Sequence, residues 1–309
     1  MKTILFRPFH AGKWFALGFS AWLATLGEGG ANSSFQGDFP TPETNEGEEG
    51  GSTGVDSPME EMEEFWNTSM QWIQNNQWVI GVAIAGVVLI LAIFVVICWL
   101  NSRGKFMFLD NVVHNRAEVA LPWREYRIEG NSLFRWVLCF HLITGAVLLT
   151  LLTGTGYWLY TQFSVAETFT SSMIFLAVGA SLALLVLIFV IVYAWTLLNH
   201  FVVPQMYQHR LNASEAWRNV MKLQRERTGA LFVFFLLQML LGMASGVILL
   251  AVGLLTCCIG LILLAIPYLG AVLMLPITVF FRALGPEFSR QFGPEYDLWP
   301  TVPPAIESA

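Results

Sequence analysis

His141 is the one ionisable side chain well inside a long apolar run, in Cys139-Phe140-His141-Leu142. Titratable groups are costly in hydrocarbon and usually functional there. A histidine at that depth suits proton relay or ligand binding. The simpler alternative is a neutral imidazole hydrogen-bonded to a neighbouring helix. Ion-coupled carriers normally need acids or bases at mid-membrane, and no Asp or Glu stands there. His200, beside Asn199 and shortly before Pro204, marks a helix exit more readily than a ligand site. Cys257 and Cys258 are adjacent; redox chemistry would need a strained vicinal disulfide, whereas small apolar turn residues need nothing. No Ser–His–Asp set, H-E-x-x-H, Walker loop or G-x-G-x-x-G stands in a supporting context, and the four cysteines make no CxxC or zinc spacing. No catalytic residue, cofactor or metal ligand is assigned, and the chain is read as non-enzymatic.

The remaining chemistry-bearing residues are basic. All sixteen Lys and Arg fall in four clusters, Lys2–Lys13, Arg103–Arg135, Arg210–Arg227 and Arg282–Arg290, with apolar stretches between them. Basic residues near span ends stay cytoplasmic, so this pattern assigns a topology. The chain is 55% hydrophobic and only 12% charged, about half the charge of a soluble domain. Eleven of 22 acidic residues lie between Glu28 and Glu64, so the net charge of −6 hides connections that are locally basic. No basic face is free of the membrane, which excludes a nucleic-acid role. Phe106, Leu109, Val113, Ala117 and Ala120 share one helical face, and Ala213, Trp217 and Val220 another, after an Asn212…Glu215 capping box. Such helices are expected in the headgroup layer, apolar side down. Arg116, Arg124, Arg127, Arg210, Arg218, Lys222, Arg225 and Arg227 are then candidate lipid-headgroup contacts, unless they serve topology alone.

These residues must be positioned by membrane helices. Residues 1–27 form a short first span or half-buried helix around Trp14–Gly27, or a signal-like segment with small residues at Gly29 and Ala31. Residues 28–56 are Gly, Ser, Thr, Pro and acid, a flexible extracytoplasmic linker. A helical membrane domain spans 57–290. It opens with Ser57 as N-cap, Pro58 in the first turn and Glu60 closing a capping box. Its further spans are about 78–100, 133–159, 172–200, 229–253 and 259–281. The stretch 228–281 has no Asp, Glu, Lys or Arg and must cross twice, since one crossing takes ~20 residues. Gly242 and Gly246 have the GxxxG spacing of close helix packing, and Pro267 and Pro276 should kink the last span. Residues 291–309 form a flexible, proline-containing tail.

The two basic connections resemble each other. Phe106, His114, Trp123-Arg124 and Gly130 in the first answer to Phe201, His209, Trp217-Arg218 and Gly229 in the second. This suggests a parallel duplication of a span–helix–span unit, as transporter folds often contain. The text Asn199-His-Phe-Val-Val-Pro204-Gln-Met-Tyr, then Ala213-Ser-Glu-Ala216-Trp, and the opening Phe6-Arg7-Pro8-Phe9 with Trp14 resemble a broad group of uncharacterised prokaryotic polytopic membrane proteins. That group is related to the membrane domain of some glycerophosphodiester phosphodiesterases. The acidic insert 28–64 departs from it. No phosphodiesterase domain is present, so that activity is not implied, and the group offers no catalytic residues to carry over.

The expected fold is an all-α bundle of six spans, or five after signal cleavage, with cytoplasmic amphipathic helices. The expected location is a bacterial inner membrane, both termini cytoplasmic unless a signal is removed. The expected role is organising or regulating protein or lipid partners, or a homo-oligomer of the chain. The alternative is a permease for a lipid or weakly charged solute.

Overall fold

A computed structural model describes residues 11–27, 67–72, 74–166, 171–256, 260, 263–264 and 266–299. The acidic linker, the capping box at Ser57, Cys257, Cys258 and the tail beyond residue 299 lie outside the described residues. Every regular element among the described residues is helical. Contacts divide the chain into residues 34–97 and a larger unit of residues 1–33 with 98–309.

In the smaller unit, the described residues from Trp78 onward are apolar and exposed on nearly all sides, among them Val82, Val88, Ile90 and Leu91. A helix that is apolar all round has no solvated face and calls for a lipid solvent. The helix is α2, Gln77–Val113, and it continues unbroken into the larger unit. Its 37 residues measure ~55 Å at ~1.5 Å per residue, against ~30 Å of hydrocarbon. The excess, Asn101–Val113, is buried at every residue.

The larger unit begins with α1, Ala11–Thr25. After α2 come α3 (Ala120–Glu125), α4 (Arg127–Ala166) and α5 (Ser171–Leu197). A π-helical turn (Leu198–Val202) joins α5 to α6 (Val203–His209). Then follow α7 (Ala213–Glu226), α8 (Thr228–Leu255), α9 (Pro267–Leu273) and α10 (Leu275–Ser289). Four helical stretches are long and apolar enough to cross a membrane: Trp78–Val113, Arg127–Gln162, Ser171–His209 and Thr228–Leu255.

The other two expected spans take a different form. α1 has 15 residues, short of the ~20 that a crossing needs. The last apolar run is broken. Ile266 is extended because it precedes Pro267, and Pro276, in the first turn of α10, cannot donate to the preceding turn, so α9 stops at Met274. The prolines end helices rather than kink one. These short helices pack together: Leu17, Ala21 and Ala24 of α1 share a core with Leu275 and Val279 of α10 and Phe108 and Val112 of α2. Tyr268 donates its hydroxyl to the Phe15 carbonyl at 2.9 Å. At Gly104 of α2 a Cβ would lie 2.6 Å from the Leu23 backbone, so only glycine admits the end of α1. Asn101 Nδ2 then caps the Ala24 carbonyl at 2.8 Å, one of the acceptors that a helix end leaves open. By contrast, nothing lies within 4 Å of a Cβ at Gly242 or Gly246; among the described residues the GxxxG pair brings no two helices together.

The main core is built from the ends of the long helices and from α7. Phe106 and Leu109 of α2, Leu133 and Val137 of α4, Leu198 to Met206, Ala216 and Val220 of α7, and Leu231 and Phe234 of α8 form one buried cluster. This corrects the headgroup-layer reading of both connections. Phe106, Leu109 and Val113, and Ala213 and Val220, turn their apolar faces onto protein, while Ala120 is exposed. A helical stripe records only that a face is buried, not whether lipid or protein covers it. The duplicated pattern has a local counterpart. Asn115 and Arg210, the two described non-glycine residues with positive φ, end α2 and α6 at matching positions of the repeat. A Trp-Arg helix and the next long helix follow each.

Candidate functional site where the helix extensions converge

Asp110 is fully buried in the last turns of α2. Its Oδ2 accepts from Arg116 Nε at 3.0 Å and Nη2 at 2.7 Å. Its Oδ1 accepts from the Tyr207 hydroxyl at 2.9 Å and lies 3.1 Å from His114 Nδ1. These bonds push the Arg116 guanidinium above its ordinary value, against the effect of burial. Asn111 clasps the turn that makes this possible: Oδ1 accepts from Glu118 N–H and Nδ2 donates to Glu118 C=O, each at 3.0 Å. Lys13 of α1 donates to Asn115 Oδ1 at 2.8 Å. A buried carboxylate is tolerable only when paired and hydrogen-bonded, and every lone-pair direction here has a taker.

Beside it, three rings stack in series. Phe106 and Tyr126 centroids are 6.0 Å apart, Tyr126 and Tyr207 4.8 Å. The Arg210 guanidinium lies 4.1 Å from the centre of the Tyr126 ring and pairs with Glu125 and, at 3.4 Å, with Glu129. Burial pushes the Tyr126 phenol above its ordinary value; Asp110 and Glu125 add to the rise, while the Tyr207 bond and Arg210 oppose it.

A third cluster surrounds the π-turn. Lys105 is buried with Nζ 4.2 Å from the Trp195 ring centre, a cation–π geometry. Arg282 Nη2 donates to the Lys105 carbonyl at 2.7 Å and Nη1 to the Asn199 carbonyl at 3.4 Å. The Asn199 acceptor follows from the sequence: the helix-continuing donor would be the backbone nitrogen of Pro204, which carries no hydrogen. π-turns recur at functional sites, and this one packs tightly, since a Cβ at Gly285 would lie 2.4 Å from the His200 carbonyl. Asn199 Oδ1 and His200 Nδ1 are buried with no hydrogen-bond partner among the described residues. His200 is thus an enclosed core residue against Phe234.

The expected contacts divide in two. Arg116 and Arg210 are committed to ion pairs with Asp110, Glu125 and Glu129. Arg124, Arg127, Arg218, Lys222, Arg225 and Arg227 are exposed. On α7 the basic residues oppose the buried Ala213, Ala216, Val220 and Leu223. The expected capping box forms, with Asn212 N–H donating to Glu215 Oε2 at 3.3 Å. His141 is half-buried. Its Nδ1 lies 2.8 Å from the Val137 carbonyl of its own helix, and its ring meets Trp195 edge-on at 5.5 Å. The groove between α4 and α5 is lined by Ala146, Val147, Thr150, Leu151, Gly154, Thr155, Trp158 and Leu176. Its threonine hydroxyls are spent on their own helix, Thr150 on Ala146 C=O and Thr155 on Leu151 C=O. Among the described residues no group of His, Cys, Asp and Glu has a metal-binding arrangement.

Asp110, Lys105 and Arg282 escaped the sequence reading. For Asp110 and Lys105 the signal was the run Asn101–Val113 itself, where polar and apolar residues mix without a solvent face directly after a span.

Long apolar helices with outward-facing side chains, closed at one end by a polar-threaded core, are the features of a helical membrane protein. The chain belongs to a family of unknown function (DUF7544), which matches residues 1–288. Comparison with curated proteins and with solved structures gives no match.

Proposed function

We propose that this is a multi-pass protein of a bacterial inner membrane that organises or regulates lipid or protein partners without catalysing a reaction. One observation carries the proposal: between 0 and 11% of the residues in each apolar window are buried. The spans therefore offer wide apolar surface for lipid, for another copy or for a partner's helices. A solute carrier instead encloses its substrate among its spans, and the groove between α4 and α5 is apolar and open along its length. The exposed cations on α7 and at Arg124 and Arg127 add attraction to anionic headgroups of roughly 1 kcal/mol each. The basic clusters support a cytoplasmic placement of the core and both termini. The likeness to the phosphodiesterase-linked membrane domain belongs here too, as kinship of architecture and not of activity.

The experiment is mass spectrometry of the protein extracted in native membrane discs. A stoichiometric protein partner or a retained anionic lipid class is the expected result. Selective enrichment of a small solute, without either, would replace this reading with the permease.

A further inference from the structure

The connection between α2 and α4 and the first turn of α4 expose three large apolar side chains, Val119, Leu121 and Ile128, the last at 72%. These are not the residues of the apolar stripe, of which Phe106, Leu109 and Val113 are buried. Leu121 lines a shallow groove with Arg124 and Glu125. Arg124 and Arg127 are exposed, as is Glu118, while Glu125 is occupied by Arg210, so Arg124 and Arg127 are the cations exposed there.

Its height is set by Trp99, next to the end of the apolar run of α2. Trp99 Nε1 donates to Asn131 Oδ1 at 3.3 Å, and its ring stands 5.7 Å from Trp123 of α3. Arg103 fixes the pair, with its guanidinium 4.7 and 5.0 Å from the two ring centres. The level at which α2 leaves hydrocarbon is thus the level of Trp123 and Asn131. Ile128 precedes Asn131 by one turn, ~4.5 Å along the axis, within a headgroup layer of ~5–7 Å. Its direction is set by α4. Ile128, Arg135, Leu142 and Leu149 recur every seven residues on one face, and all are exposed. Leu142 and Leu149 lie in the apolar part of α4, which places Ile128 and Arg135 on the side of the helix that meets hydrocarbon further along.

We propose that Val119, Leu121 and Ile128 form a wedge seated at the headgroup–acyl boundary of an anionic bilayer, with Arg124 and Arg127 on its phosphates. Aromatic anchors at the same level, Trp99 and Trp123, are what an interfacial site calls for, and the charge of the patch complements anionic lipid. The inference rests on the membrane-spanning reading above.

The test is spin-label accessibility on the full chain, its four native cysteines replaced by alanine, reconstituted in phosphatidylglycerol–phosphatidylcholine vesicles. Single labels are placed by Leu121→Cys, Ile128→Cys, Leu149→Cys and Asn219→Cys. Oxygen should relax the labels at 121, 128 and 149 more than a water-soluble nickel chelate does, and the order should reverse at 219. Arg124→Gln with Arg127→Gln should shift the label at 121 towards the aqueous reagent. If 149 reports lipid while 121 and 128 match 219, the wedge is wrong and the membrane reading stands. An aqueous label at 149 would remove both. Shielding of 121 and 128 from both reagents would mean that protein covers the patch, which also overturns the proposal.

Discussion

Asp110 concentrates more of this molecule's polar accounting than any residue the sequence singled out. It is fully buried, and Arg116, Tyr207 and His114 converge on its two oxygens. Truncation should cost more than any one hydrogen bond, because it strands a guanidinium and a buried hydroxyl together. Asp110→Ala is expected to lose about 3 kcal/mol, at the low end for a broken buried pair because Arg116 reaches solvent. Tyr207→Phe should lose about 1 kcal/mol. Detergent-titration unfolding of the purified protein checks both, and equal losses would show that the ion pair contributes nothing beyond the hydroxyl. Residue chemistry was the least legible level in the sequence. Arg116 and Arg124 look alike there, yet one is bound to a carboxylate and the other is exposed. The difference lies in Asp110, whose burial depends on helices that arrive a hundred residues later.

At the scale of elements, close approach decides which glycines matter. A Cβ at Gly104 would strike the Leu23 backbone and one at Gly285 the His200 carbonyl. Backbone cannot swing aside, so Gly104→Ala and Gly285→Ala should each destabilise by ~1–3 kcal/mol. Gly242→Ala and Gly246→Ala meet open space and should be neutral or add up to ~1 kcal/mol of helix stability. Thermal unfolding of the four variants in the same detergent separates the groups; loss at Gly242 would reveal a partner helix on that face. The long spans were legible because their apolar runs exceed ~20 residues. Their extension into buried cores was not, since hydropathy falls at Asn101 and again after Leu197 whether the chain turns back or runs on as helix. The α9–α10 pair was read as one kinked span because composition alone does not register that Pro267 and Pro276 each stop a helix.

At the scale of the whole molecule, the proposed orientation rests on the charge clusters. A membrane-impermeant thiol reagent added outside intact cells should label Ser52→Cys and spare Asn219→Cys in a cysteine-free background. The opposite pattern would invert the topology. The order of synthesis adds a further consequence to the Asp110 network. Arg116 lies six residues after Asp110, and Asn111 needs only Glu118. This turn can therefore close while the chain is still being made. Tyr207 is 97 residues further on, an interval of about 5–20 s at ribosomal rates of ~5–20 residues per second. During that wait Arg116 can already neutralise the carboxylate, so the nascent helix need not carry a bare acid. The tyrosine from the second half of the chain then acts as a latch, closing a hub that the first half has already charged and balanced.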